Sequence, residues 1–70
     1  MLPLTFAPIG EEQIIRRISG LPEVRHHLEN LGFVVGSGVT VLSTLGGNII
    51  VKVKESRVGI SREMAQKIMI

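Results

Sequence analysis

The amino-acid sequence predicts a mostly β fold with one short helix, arranged as a small barrel or sandwich. Eight glycines in 70 residues separate short stretches rich in isoleucine and valine, as expected for short strands joined by tight turns. Only the stretch 21–31 has the apolar spacing of a helix. Because the chain is short and contains no linker or internal repeat, we predict one domain, residues 1–70.

The first predicted strand runs from Glu11 to Ile18 and follows a turn at Pro8-Ile9-Gly10. Its alternation of apolar and polar residues is imperfect, since two isoleucines are adjacent and two arginines follow them. A β-bulge, or a strand partly covered on both faces, would accommodate this pattern.

The helix is predicted over Leu21 to Leu31, with Pro22 in its first turn, where no backbone N–H donor is needed. Four apolar residues recur at helical spacing and predict the buried stripe: Leu21, Val24, Leu28 and Leu31. Gly32 can adopt the left-handed conformation that ends helices, and Phe33 can then fold back onto the last turn.

Two strands joined by Gly46-Gly47 follow the helix, since glycines tolerate the positive φ angles that hairpin turns require. Alternate residues predict their buried face: Val39, Val41, Leu45, Ile49, Val51 and Val53. A second turn at Glu55-Ser56 is predicted to lead into a strand over Arg57 to Ile60. Ser61 then caps a short helical turn, and Ile68 to Ile70 close the fold as a last strand.

The composition argues against an enzyme. The chain contains no Asp, Cys or Tyr, and its serines have no histidine near them in the sequence. Nucleophilic and acid–base catalysis need such paired groups. We therefore predict no catalytic residues.

The chain is predicted to be cytoplasmic and not membrane-embedded. It starts without the basic leader of a signal peptide, and its longest aliphatic run is Ile49–Val51. No nucleic acid is expected as a partner, since the net charge is only +2 and the aromatic stacking residues are limited to Phe6 and Phe33.

The metal-ligand candidates are Glu23, His26 and His27. Glu23 and His27 are four residues apart and share one helix face, whereas adjacent histidines point about 100° apart. Two ligands are too few for a closed zinc site without a contribution from a second molecule. A solvated helix surface is the simpler interpretation.

A partner-binding surface is predicted from basic and aliphatic residues of the β hairpins. Lys52 and Lys54 share one strand face, and Arg57 beyond the turn extends this basic patch. We expect the surface to include an aliphatic cleft between helix and barrel, around Leu42 and Ile50. The chain lacks the Tyr and Trp residues that line grooves for proline-rich peptides.

Three segments of the sequence resemble the FeoA family of bacterial ferrous iron uptake. Leu4 to Gly10 is similar to the family's opening Pro-x-Gly segment, Leu28 to Gly36 to its leucine-glycine turn, and Ser56 to Ala65 to its closing segment. Two positions depart from the family pattern, Glu55 where Gly is frequent and Gly59 where Ala is usual. They affect the expected turn type and leave the expected fold unchanged.

The resemblance implies an SH3-like small β-barrel with an α-helix inserted after the first long strand. It also implies an accessory role in ferrous iron uptake, through contact with the cytoplasmic domain of the GTP-binding transporter FeoB. The alternative is a transition-metal-responsive domain related to the C-terminal domain of iron-dependent repressors. No cofactor is required; a bound Fe²⁺ or Zn²⁺ ion and a weak homo-oligomer are left open.

Overall fold

The computed structural model describes all 70 residues, and most of its ordered elements are strands. A single 3-10 turn over Leu4–Phe6 precedes them. The strands and helices are, in chain order, β1 (Glu12–Ile14), β2 (Arg17–Ile18), α1 (Pro22–Asn30), β3 (Gly38–Leu45), β4 (Asn48–Val53), β5 (Ser56–Ser61), α2 (Arg62–Ala65) and β6 (Ile68–Met69). Neither helix has the length and apolar character needed to cross a membrane.

The strands form two antiparallel sheets that are hydrogen-bonded separately. Strands β1, β3, β4 and β5 lie side by side in that order, and β2 pairs with β6. The N-terminal segment lies along β6, where Leu2 and Ile70 exchange backbone hydrogen bonds of 3.0 and 2.7 Å. The two ends of the chain therefore lie next to each other, beside the smaller sheet.

The predicted first strand is in fact two strands, β1 and β2, which belong to different sheets. Ile14 is 47% exposed while Ile15 is fully buried. The N–H of Ile15 donates to the carbonyl of Ser37 at 2.9 Å, and the N–H of Arg16 donates to Met69 at 2.8 Å. The chain thus leaves one sheet for the other here, which explains the two adjacent isoleucines.

Helix α1 ends as predicted. Gly32 has a φ of 109°, its N–H donates to Glu29, and the N–H of the buried Phe33 donates to Leu28 at 3.0 Å. This pair of bonds is the Schellman arrangement, which satisfies the last carbonyls of a helix. The beginning differs from the prediction, because Leu21 precedes the helix and is 68% exposed, so it takes no part in the buried stripe.

The hairpins match the sequence analysis except at three points. Leu42 is an extra residue where the β3–β4 register shifts, and beyond this bulge Leu45 is 72% exposed instead of buried. The second turn consists of Lys54-Glu55, one residue earlier than predicted, and Lys54 has a φ of 55°. Helix α2 is present, and Ser61 accepts a 3.1 Å hydrogen bond from the N–H of Met64 as its cap.

The core lies between the sheets and the helices. It contains thirteen buried apolar residues and no buried polar one. They are Leu4, Ile15, Ile18, Leu28, Phe33, Val39, Val41, Ile49, Val51, Val53, Ile60, Ala65 and Ile68. Leu4 was not predicted in this core; it is buried because the N-terminal segment pairs with β6.

Candidate partner-binding surface

The outer face of the four-stranded sheet holds the predicted basic residues. In β4, buried residues alternate with half-buried Ile50 and exposed Lys52, because successive side chains of a strand point to opposite faces. Residues paired across strands share a face, so the register of Lys52 with Thr40 and with Arg57 adds both to this surface. Pairing of Thr40 with Glu12 extends the row to β1. One row of four paired residues therefore crosses all four strands: Glu12, Thr40, Lys52 and Arg57.

A shallow polar cavity of about 250 Å³ lies on this outer face. Its lining residues are Glu12, Ser37, Gly38, Thr40, Lys52 and Lys54. The absence of a side chain at Gly38 leaves room for the carboxylate of Glu12, because a Cβ atom at Gly38 would overlap with that carboxylate. The cavity thus presents hydroxyl groups, one carboxylate and two ammonium groups to solvent.

The electrostatics of the row favour an anionic partner. Lys52 and Arg57 are directly opposite each other, and like charges in this position repel. Both residues are exposed, as is Lys54 at the following turn. A partner that places carboxylates here would relieve the repulsion between Lys52 and Arg57.

The aliphatic part of the predicted surface has a different location from the one expected. Ile50 lies on the same outer face, where its Cδ1 atom would be 3.3 Å from a Cβ atom at Gly59, and Leu42 is the half-buried residue of the bulge. None of the three cavities of the molecule is lined by Leu42, Ile50 or Arg57. These residues belong to an open sheet face, and the expected cleft beside the helix is not observed.

The candidate metal ligands are exposed residues of α1. Glu23 and His26 line an open depression of about 340 Å³ together with Pro22, and His27 lies outside it. No three His, Cys, Asp or Glu side chains come together anywhere in the structure. Glu23, His26 and His27 therefore do not form a preassembled three-ligand site, and metal binding by them stays a prediction.

The sequence analysis missed Glu12, Ser37 and Thr40 in the polar cavity. Thr40 carried a local signal, since it alternates with the buried valines of β3. Glu12 carried none, because only the pairing of β1 with β3 brings it beside Lys52. Ser37 directly precedes β3, and the pairing of β3 with β4 brings it to the cavity.

Comparisons with known proteins agree with this structure. The family model for the FeoA domain matches residues 2–70. A relative from Methanocaldococcus jannaschii, named "Putative Fe(2+) transport protein A", is 36% identical over 70 residues, covering 100% of this chain and 85% of the relative.

Solved structures with a similar fold include a FeoA protein and a transcriptional repressor. A Stenotrophomonas maltophilia FeoA complexed with zinc, described as a prokaryotic SH3 domain protein, has a TM-score of 0.85 and 21% identity, covering 99% of this chain and 88% of that one. A manganese-dependent transcriptional repressor has a TM-score of 0.83 and 25% identity, covering 94% of this chain but only 38% of the repressor. The mostly β, SH3-like fold is confirmed, and the chain belongs to the FeoA family.

Proposed function

We propose that this protein assists ferrous iron uptake by binding the cytoplasmic, GTP-binding portion of the membrane transporter FeoB. Membership of the FeoA family supports the role in iron transport. The relative from M. jannaschii is named for Fe²⁺ transport, and the S. maltophilia protein has been suggested to be a ferrous iron transport activating factor. Binding is the activity that a small domain with an open, charged sheet face can perform without catalytic groups.

The observation that carries the proposed binding surface is the row from Glu12 to Arg57 across all four strands. The sheet holds the backbone of these residues at fixed spacing, so a partner has to order only their side chains on binding. Leu42 and Ile50 supply apolar area beside the charged groups Lys52, Lys54 and Arg57. This combination is typical of a protein interface with an apolar centre and a polar rim.

The test is a titration of the ¹⁵N-labelled protein with the purified cytoplasmic domain of the FeoB encoded in the same genome. At physiological ionic strength, we expect amide shifts to concentrate on β3, β4 and β5 around Thr40, Lys52 and Arg57. Replacement Lys52→Glu should weaken binding about tenfold, because it reverses one charge at the centre of the row.

Arg62→Glu is the matched control. Arg62 is also exposed and its replacement changes the net charge equally, but it lies in α2 and outside the row. We expect Arg62→Glu to bind with nearly unchanged affinity. Absence of binding, or equal weakening by both variants, would contradict the proposed surface.

A transition-metal-responsive role is the alternative, and the structural similarity to a manganese-dependent repressor favours it. The candidate ligands would be Glu23 and His26, completed by a second molecule or by solvent. Titration with Fe²⁺ under anaerobic conditions, or with Zn²⁺, should then shift the imidazole signals of His26 and His27. Unchanged signals at millimolar metal would remove this alternative without affecting the first proposal.

A further inference from the structure

A second polar cavity, of about 290 Å³, lies between β2 and α1 and is not part of the outer sheet face. We call it the arginine groove and define it by its lining residues: Arg16, Arg17, Ile18, Ser19, Gly20, Arg25, Glu29 and Val35. It shares no residue with the polar cavity of the sheet.

The arginine groove carries as much net positive charge as the whole protein. Its three arginines and one glutamate sum to +2, which equals the formal net charge of the chain. The other five basic residues are therefore balanced by the other five glutamates. Arg25 precedes Glu29 by one helical turn, the less favourable order for an ion pair, so Glu29 neutralises the groove only weakly.

The backbone beneath these arginines is fixed by hydrogen bonds. The N–H groups of Arg16 and Ser19 donate to Met69 and Lys67 at 2.8 and 2.7 Å, which ties β2 to the end of the chain. On the other side, the N–H of Gly36 donates to the carbonyl of Ile15 at 2.8 Å and holds Val35 beside the groove. The backbone on both sides of the groove is therefore held in place, while the arginine side chains themselves are exposed.

The chemistry of the lining distinguishes between anionic ligands. Phosphate sites commonly use clusters of free backbone N–H groups, but those of Arg16 and Ser19 already donate to the carbonyls of Met69 and Lys67. Arginine side chains bind both carboxylates and phosphates through two parallel hydrogen bonds, so the arginines alone do not select between these anions. Val35, which is 63% exposed, offers an aliphatic contact next to them. Carboxylates on a peptide fit this combination better than a free phosphate.

We propose that the arginine groove binds an acidic peptide segment of a partner protein. The proposal goes beyond the function proposed above, because it concerns a separate surface and holds whether or not the sheet face binds FeoB. It would give the protein two independent docking sites.

The test uses a hexaglutamate peptide as the probe and the ¹⁵N-labelled protein as the target. We expect the peptide to shift the amide signals of Arg17, Gly20, Arg25 and Val35 in the millimolar range. The shifts should weaken as salt is added, because exposed charge pairs are screened. The double variant Arg17→Gln/Arg25→Gln should bind about tenfold more weakly.

The matched control is Lys52→Gln/Lys54→Gln, which removes the same charge from the sheet face. It should leave the hexaglutamate-induced shifts of Arg17, Gly20, Arg25 and Val35 unchanged, even if it removes weaker shifts on the sheet face itself. Spectra of both variants outside the altered residues report that the fold is intact. Three results would overturn the proposal: shifts centred on Lys52 and Lys54, no shifts at millimolar peptide, or equally strong shifts with inorganic phosphate or a short single-stranded DNA of equal charge.

Discussion

The two faces of the four-stranded sheet are built from alternate residues of the same strands, yet their chemistry differs completely. In β4, Ile49, Val51 and Val53 are at most 3% exposed, whereas Lys52 between them is exposed. The inner face is wholly aliphatic along β4 and packs in the core. The outer face combines charged groups and hydroxyl groups with the half-buried Leu42 and Ile50.

Within β4, the inner residues contribute to stability, and the outer residues are available to recognise a partner. Burial of a Val or Ile side chain contributes about 1.5–3 kcal/mol, so a few inner residues supply much of the stability of so small a protein. Exposed charged pairs contribute about 0–1 kcal/mol. The outer face can therefore hold residues chosen for a partner, at small cost to folding.

Replacing the two adjacent isoleucines of β4 should give the largest difference in stability between the two faces. Ile49 is 3% exposed and paired with Ile60, while Ile50 is half-buried on the outer face. We expect Ile49→Ala to lower the free energy of unfolding by about 3 kcal/mol, because it removes buried apolar area and leaves a cavity. Ile50→Ala should lower it by less than about 1 kcal/mol. Urea unfolding followed by circular dichroism measures both.

If Ile49→Ala does not fold, Ile49→Val provides the comparison, with an expected loss of about 1 kcal/mol. Equal losses for alanine at the two positions would show that Ile50 is as deeply packed as Ile49. The distinction between the two faces would then be wrong.

The variant Lys52→Glu tests whether a residue of the outer face was selected for stability or for binding. Lys52 is opposite Arg57, and replacing this like-charge pair by an opposite-charge pair should raise the free energy of unfolding by about 0.5–1 kcal/mol. The gain should shrink at about 1 M salt, where the screening length is short. A variant that is more stable but binds its partner less well would show that this position serves recognition at the expense of stability.

Local signals predicted most of the fold. Gly32 with Phe33, the Gly46-Gly47 turn and the cap residue Ser61 each specify an element end through their own backbone or side chain. The division of the first strand could not be predicted, because it depends on bonds from Ile15 to Ser37 and from Arg16 to Met69. Such pairings join residues far apart in the sequence.

The same limit applies to the surfaces. Lys52, Lys54 and Arg57 could be grouped from the sequence, because one hairpin brings them together. The arginine groove could not be found in this way, since Arg17 and Arg25 belong to different elements and no alternation in the sequence indicates that α1 and Val35 lie beside β2. A surface within one hairpin can be predicted from the alternation of its side chains. A surface formed between separate elements cannot, because it depends on how those elements pack.

The smallest expected effect concerns Gly59, an outer-face residue of β5 paired with Ile50. Its φ lies outside the left-handed region, and a Cβ atom there would meet only Cδ1 of Ile50, the flexible end of a side chain that can move. We expect Gly59→Ala to raise the free energy of unfolding by about 0.5 kcal/mol, because alanine restricts the unfolded chain. The urea midpoint, measured beside that of the parent protein, provides the test. A loss above about 1 kcal/mol would show that Ile50 is rigidly packed and that this face tolerates change less than its exposure suggests.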